Sequence, residues 1–144
     1  MIRPSRTSDL ERVLELLQGA QLPTDDLTTA PELRFWVLED DSTLVGVVGL
    51  ERYATGGLLR SLVVARTHQR RGLARELVTH LEREARVDGV ERLVLLTQTA
   101  EALFRRLGYD VINRNSAPDD VKQSAEFLSL CPASAVCMAK SLVP

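Results

Sequence analysis

Residues 58–74 hold the side chains best suited to chemistry, running Leu-Leu-Arg-Ser-Leu-Val-Val into a turn rich in arginine and on to Gly72-Leu73-Ala74. An apolar strand-like run leads into a basic turn, and the turn opens a helical pattern. Helix N-termini present unpaired N–H groups and a partial positive charge, so they attract anions. Gly72 lets a phosphate come close to the backbone, and Ala74 keeps the next turn uncluttered. From Arg66 to Arg75 there are four arginines and no acid. This combination suits a pyrophosphate. The dinucleotide pattern needs three glycines where Gly72 stands alone, and the triphosphate pattern needs a Gly-Lys-Ser/Thr tripeptide that the chain lacks. The alternative is that Gly72 only opens a helix and the arginines are solvated.

The elements that must position this segment follow from patterning. Residues 1–6 form a first strand. Ser8-Asp9-Leu10-Glu11 has the form of a capping box, with Leu10, Val13, Leu14 and Leu17 at helical spacing and Gly19 at the helix end. Residues 21–31 are a loop or broken helix. Residues 32–39 and 44–51 read as a hairpin around Asp40-Asp41-Ser42. Gly56-Gly57 breaks the chain, and residues 58–64 are a further strand. Residues 72–87 form an amphipathic helix with Leu73, Leu77, Leu81 and Ala85 on one stripe. Residues 90–97 contain a continuous apolar run typical of a strand buried on both faces. Thr99 is placed to cap a short helix carrying Leu103, Phe104 and Leu107, which Gly108 ends. Residues 109–113 and 133–140 complete the strands, with a short helix over 118–127. This order gives an α/β fold with a mixed sheet of six to seven strands, and the crossovers make its central pairing parallel.

The 144 residues make room for one domain. Lys+Arg total 18 against 20 Asp+Glu, a net charge of -2, which disfavours a general nucleic-acid binder. Sixteen of the basic residues are arginine. The region 1–41 has four arginines against nine acids, so an anion site must be local. No apolar run is long enough for a membrane span, and the polar start has no signal-peptide core. The expected location is cytoplasmic, with Cys131 and Cys137 reduced. Neither His68 nor His80 has a partner at metal spacing, and no metal site is expected.

Gln69-Arg70-Arg71-Gly72-Leu73-Ala74 matches the pattern Gln/Arg-x-x-Gly-x-Gly/Ala of the GNAT family of N-acetyltransferases. Ile2-Arg3-Pro4 with Asp9-Leu10 resembles the family's start, and residues 103–109, Leu-Phe-Arg-Arg-Leu-Gly-Tyr, its late helix and strand. The resemblance covers nearly the whole chain. It implies the GNAT fold, with acetyl-CoA as co-substrate in a wedge between the fourth and fifth strands. It places the pantetheine arm against Leu62, Val63 and Val64, with Thr97 and Phe104 opposite. The pyrophosphate would lie on Gln69, Arg70, Arg71, Gly72, Leu73 and Ala74, with Arg75 near. The reaction would be attack of a neutral amine on the thioester carbonyl. Residues 129–138 and 49–53 resemble a subgroup encoded in arsenic-resistance gene clusters. That likeness implies a small amine or amino acid as partner, such as arsinothricin or a phosphinic relative. A homodimer through the late strands, with 136–138 as the edge, is a further implication.

Many family members carry a Tyr four residues before the Gly of the late helix, as acid toward the leaving thiolate, and this chain has Phe104 there. Tyr109 is one substitute, or a core residue. Glu51, at a strand end, is the first candidate for general base, or else an acid paired with Arg52 or Arg60. Arg60 interrupts an apolar run and is placed to hold a substrate carboxylate or arsinate, or else reaches solvent. Ser61 is placed to contact the thioester or to pack. Cys131 and Cys137 are too far apart for a common zinc or redox pair. They pack, or capture trivalent arsenic, or Cys131 supplies the acid that Phe104 cannot. Two functions from different classes follow: an N-acetyltransferase, or an acyl-CoA-binding sensor without turnover.

Overall fold

The computed structural model describes residues 1–30, 32–54 and 56–143. Pro31, the end of the expected 21–31 loop, lies outside the described residues. Seven strands form one sheet in the order β1-β2-β3-β4-β5-β7-β6. They are β1 Ile2–Pro4, β2 Leu33–Asp40, β3 Thr43–Tyr53, β4 Gly56–Val64, β5 Arg92–Thr97, β6 Asp110–Val111 and β7 Val136–Ser141. Only β4 and β5 pair in parallel. The expected α/β class, strand number and parallel pair are all present.

The alternation of side chains along β2 splits the core. Trp36 and Leu38 meet α2 (Leu73–Val87) through Leu77, Val78, Leu81 and Ala85. Val37 faces the other way, onto Val13 and Leu17 of α1 (Leu10–Gly19). At the far end of the sheet Leu58 and Val94 pack against Val121 of α4 (Asp119–Lys122), with Phe127 and Cys137. The short α3 (Glu101–Arg106) lies between β5 and β6 and brings Phe104 onto the α2 side.

Four local expectations change. Ser8 makes no cap, because a 3-10 turn over Thr7–Asp9 precedes α1 and the Asp9 carboxylate takes the Arg6 amide instead. Gly56 and Gly57 lie inside β4 rather than breaking it. A Cβ on Gly57 would come within 2.8 Å of Leu50, so the glycine answers to close packing. Thr97, not Thr99, accepts the amide that starts α3. The 118–127 helix stops at Lys122, and a single π-turn, Glu126–Leu130, follows. The expected dimer edge is also occupied: β6 pairs with Met138 and Ala139, and the Ile112 amide donates to the Cys137 carbonyl.

Arg3 ties the short β1 to its surroundings. It donates to both Asp9 oxygens, at 2.8 and 3.1 Å, and to Glu39 at 2.9 Å. The Arg3 hydrogen bonds hold the Asp9 carboxyl down at about 2 against the effect of its burial, with help from the Arg6 amide. A depressed carboxyl contributes stability above its unfolded value of 3.8, and that contribution is lost as pH falls through about 2. Asp9→Asn is expected to lower the unfolding free energy at neutral pH by about 1.5–3 kcal/mol. It should also flatten the acid limb of the urea midpoint below the unfolded carboxyl value. An acid limb as steep as that of wild type would remove this role from Asp9.

Candidate active site

The site begins with an irregularity in β4. Val47 and Gly49 of β3 pair with Val63 and Arg60, so two residues of β4, Ser61 and Leu62, oppose one of β3. This is a β-bulge, which bends the strand that carries it. Ser61 adopts φ +59°, a left-handed conformation that costs a non-glycine residue energy and recurs at functional sites. β4 meets β5 only at Gly57–Leu93 and Leu58–Val94. Beyond Leu58 the two parallel strands part, and a cleft of about 180 Å³ opens between them. Leu59, Arg60, Ser61 and Leu62 line one wall, and Leu95 to Ala100 with Phe104 line the other. Ala20–Pro23 and the π-turn region (Glu126, Cys131) close its sides.

The basic turn follows β4 directly. The Gln69 side chain donates to the Val64 carbonyl at 3.0 Å and so pins the turn to the strand end. Arg70 (φ +65°) and Gly72 (φ +76°) both take left-handed backbone, a geometry that turns successive N–H groups toward one point. The amides of residues 70–75 have no acceptor among the described residues. Nothing lies within 4 Å of a Cβ built on Gly72. Arg70, Arg71 and Arg75 are exposed and make no ion pair among the described residues. Arg71 Nη2 donates to the Thr67 carbonyl at 3.4 Å. Orphaned amides, open space and exposed guanidinium groups together fit a pyrophosphate.

At the other end of the cleft Arg60 sits fully buried in a nest of acids. Its Nη1 donates to Asp26 and to Glu51, both at 2.6 Å, and its Nη2 to Asp26 at 2.8 Å. Nε reaches Ser61 Oγ at 3.2 Å and Glu126 at 3.3 Å. Tyr53 donates to the second Glu51 oxygen. Burial works against the guanidinium charge, but the Asp26 hydrogen bond, the field of Glu126 and the Glu51 hydrogen bond outweigh it and raise its pKa. The same burial pushes Glu126 up to about 7, since Arg60 opposes the shift while Glu51 and Asp26 add to it. Arg60 is the main influence in the opposite direction, but it does not cancel the cost of burial. Cys131 hydrogen-bonds Glu126, and burial and then that carboxylate push its thiol up to about 12.

The structure therefore gathers some of the expected residues and separates others. Leu62, Thr97 and Phe104 line the cleft, Val63, Val64 and Gln69 line a neighbouring depression at the end of β4, and Arg70 to Ala74 follow directly in the turn that opens α2. Arg60 is not a free receptor for an acid, since its side chain is fully covered and committed. Glu51 is no terminal base on the cleft. It is 1% exposed, lies behind Arg60, and has both oxygens engaged by Arg60 and Tyr53. Tyr109 is core. Its hydroxyl donates to Glu82 at 2.8 Å, Glu82 also holds Lys140, and none of the three lines the cleft. Cys131 is at the cleft but Cys137 is buried with Leu58 and Val94, so the two thiols serve different surroundings. Asp26 and Glu126 were missed. Asp26 lies in a segment that reads as a solvated loop, and Glu126 in one that reads as an ordinary helix. Nothing in their spacing points to Arg60.

A cleft between parting parallel strands, joined to a helix N-terminus with free amides, defines an acyl-CoA-type transferase fold. Residues 5–109 match the sequence profile of the Acetyltransferase (GNAT) family. The chain belongs to that family, whose co-substrate is acetyl-CoA. A Mycobacterium tuberculosis protein solved with CoA and NLQ is 25% identical with a TM-score of 0.83, and each chain covers 99% of the other. N-acetylglutamate synthase from Neisseria gonorrhoeae, complexed with coenzyme A and N-acetyl-glutamate, superposes with a TM-score of 0.85 at 21% identity, over 100% of this chain and 35% of that one. The amino-acid acetyltransferase of Ralstonia nicotianae is 26% identical over 127 residues, 83% of this chain. The Danio rerio probable N-acetyltransferase 14 is 38% identical over 80 residues, 51% of this chain. The chain spans 28% and 29% of the lengths of these last two relatives. Among the described residues, no helix is long and apolar enough to cross a membrane, and no group of His, Cys, Asp and Glu is arranged to hold a metal ion.

The Arg60 cluster makes a direct prediction about stability. Arg60→Ala leaves Asp26, Glu51 and Glu126 buried without their cation, and removing one partner of a buried ion pair costs about 3–5 kcal/mol. Urea unfolding of this variant should show a loss of that size. A loss below about 1 kcal/mol, the size of an exposed pair, would show that the cluster is wetter than its geometry.

Proposed function

We propose that this protein transfers the acetyl group of acetyl-CoA to the amine of a small molecule. The observation that carries the reading is the parting of β4 from β5. It leaves the edge of β4 beyond Leu58 unpaired by β5, between the free amides of residues 70–75 and the buried acids around Arg60, and that edge would be the path of the cofactor. The amides of Arg70 to Ala74 would hold the pyrophosphate, with Arg75 beside it. The unpaired edge of β4 over Leu62, Val63 and Val64 would align the pantetheine arm, with Thr97 and Phe104 on the opposite wall. The reacting carbonyl would then arrive at the Ser61 bulge. When bound, acetyl-CoA supplies an activated acyl group. The chain supplies alignment, exclusion of water and a proton path.

The acceptor's class takes support from the names of relatives, several of which act on or are complexed with amino-acid derivatives. The narrower reading, an arsinic or phosphinic amino acid such as arsinothricin, rests on the sequence resemblance. Arg60 can serve an acidic acceptor only in exchange for Asp26, whose paired oxygens occupy the position an acceptor carboxylate would take. The second reading, a sensor without turnover, is favoured by one observation: Phe104 lines the cleft where a tyrosine hydroxyl would serve.

Titration calorimetry with acetyl-CoA and thiol release over a panel of L-glutamate, L-glutamine, spermidine, a phosphinic amino acid and arsinothricin test these readings. Binding with turnover of at least one amine is expected. Binding with a flat trace across the panel would favour the sensor, and no heat would end both readings. Asp26→Asn is expected to lower KM for L-glutamate and arsinothricin several-fold, about 1 kcal/mol of released competition, and to leave spermidine unchanged. An equal change for all acceptors would separate Asp26 and Arg60 from acid recognition.

A further inference from the structure

The cleft lacks the phenolic hydroxyl that the leaving thiolate would use; the hydroxyls on its walls are the far less acidic aliphatic ones of Ser61, Thr97 and Thr99. Phe104 has none, Tyr109 faces Glu82, and the Cys131 thiol is held too weakly acidic to donate readily. The charged residues lining the cleft are Arg60 and Glu126. Arg60 is bound on three sides. Glu126 is 3% exposed and sits on the π-turn, with one oxygen 3.3 Å from Arg60 Nε. The groups facing it are Arg60 from β4, Glu51 from β3, Asp26 from the α1–β2 segment and Cys131 from its own segment. Arg114, whose Nη2 donates to the Phe127 carbonyl, lies on the outer side of the turn.

We propose that Glu126 carries both proton transfers of the reaction, taking the proton from the attacking nitrogen and returning it to the departing sulfur. This rests on the acetyl-transfer reading above. The neutral amine attacks, the N–C bond forms, and the nitrogen, now positively charged, gives one proton to the Glu126 carboxylate. The C–S bond breaks, its electron pair stays on sulfur, and sulfur takes that same proton. The products are the amide and a free thiol, and Glu126 is again a carboxylate. A carboxyl at about 7 is a stronger base than an ordinary one near 4.3, and still acidic enough to protonate a thiolate whose thiol has a pKa of about 8.5. A single such group accounts for a cleft without the tyrosine.

The test compares wild type with Glu126→Gln and Glu126→Asp, using the panel acceptor that wild type turns over best. Glu126→Gln should lose at least about 100-fold in kcat while acetyl-CoA affinity by calorimetry is unchanged. Wild type should show an ascending limb in kcat near pH 7, absent from Glu126→Gln and retained, at lower kcat, by Glu126→Asp. The gap between wild type and Glu126→Gln should persist up to the pKa of the amine. A gap that closes there would mean that Glu126 only neutralises an incoming ammonium, and would overturn the dual role. Retention of kcat by Glu126→Gln would overturn any role. An independent readout is stability. A carboxyl raised from 4.5 to about 7 contributes stability fully below 4.5 and loses it as pH rises through 7. The urea midpoint of wild type should therefore fall over that range and that of Glu126→Gln should not. A flat wild-type profile would count against the proposal. If wild type binds acetyl-CoA but acetylates no panel amine, the functional reading fails and this one with it. If wild type turns over and Glu126→Gln does too, only this one fails.

Discussion

A guanidinium group taken fully out of water must be neutralised where it lies, and much of the site follows from how Arg60 is neutralised. It draws carboxylates from three separate stretches: Asp26 before β2, Glu51 on β3 and Glu126 on the π-turn. Each stretch is thereby fixed against β4. The segment after α1 is folded down over the cleft mouth, and the π-turn is held against its floor. An ion pair of this kind is weak evidence for added stability, because desolvation offsets most of the attraction. Its effect here is positional, since three polypeptide segments distant in sequence share one cation. The arithmetic is also uneven, with three acids to one base. The surplus negative charge must be tolerated by one of the acids, and the acid furthest from the guanidinium's paired donors, Glu126, is the one pushed toward its neutral form.

The bulge at Ser61 makes this arrangement possible. An uninterrupted β4 would keep strict alternation of its side chains. The extra residue breaks that register, and the strand turns away from its parallel neighbour after Leu58. The strain of a left-handed serine is thus tied to the opening of the cleft. Where β4 ends, Gln69 holds the turn to Val64, so the amides of α2 are placed at the mouth of the same opening. Bulge, strand edge and helix end form one continuous feature.

The sequence made the frame legible because its signals are local. Gly72 following a basic turn, the Leu77–Leu81–Ala85 stripe and the apolar run in β5 each carry their meaning within a few residues. The caps differ from the local pattern because a 3-10 turn precedes α1 and Asp9 takes the Arg6 amide, while at α3 the last residue of β5, Thr97, reaches the Ala100 amide ahead of Thr99. The acid cluster around Arg60 was largely illegible for a different reason. Arg60 and Glu51 stood out as charges in apolar strands, but their partners come from a loop and a π-turn, where an acid looks like any solvated acid. Tyr109 looked chemical by position, yet Glu82 and Lys140, on α2 and β7, claim it for the core. Long-range pairing decides these cases, and one sequence does not display it.

The near-zero net charge conceals a division of sign along the cleft. The turn end carries four arginines and no acid over residues 66–75, although Asp40 of β2 pairs with His68 there, and it is rich in unpaired N–H groups. The bulge end carries three carboxylates around one arginine, all buried. A ligand with phosphates at one end and an uncharged thioester at the other meets matching potential in only one direction, so orientation follows from charge before any specific contact forms. An amine approaching the bulge end meets an acidic field in a water-poor setting, where electrostatic terms are stronger than in solvent. The same field resists an acidic acceptor unless one resident carboxylate yields its place. In the acetyl-transfer reading proposed above, cofactor orientation and amine attraction would follow from the same uneven charge distribution that raises the proton affinity of Glu126, anchored on a single buried arginine.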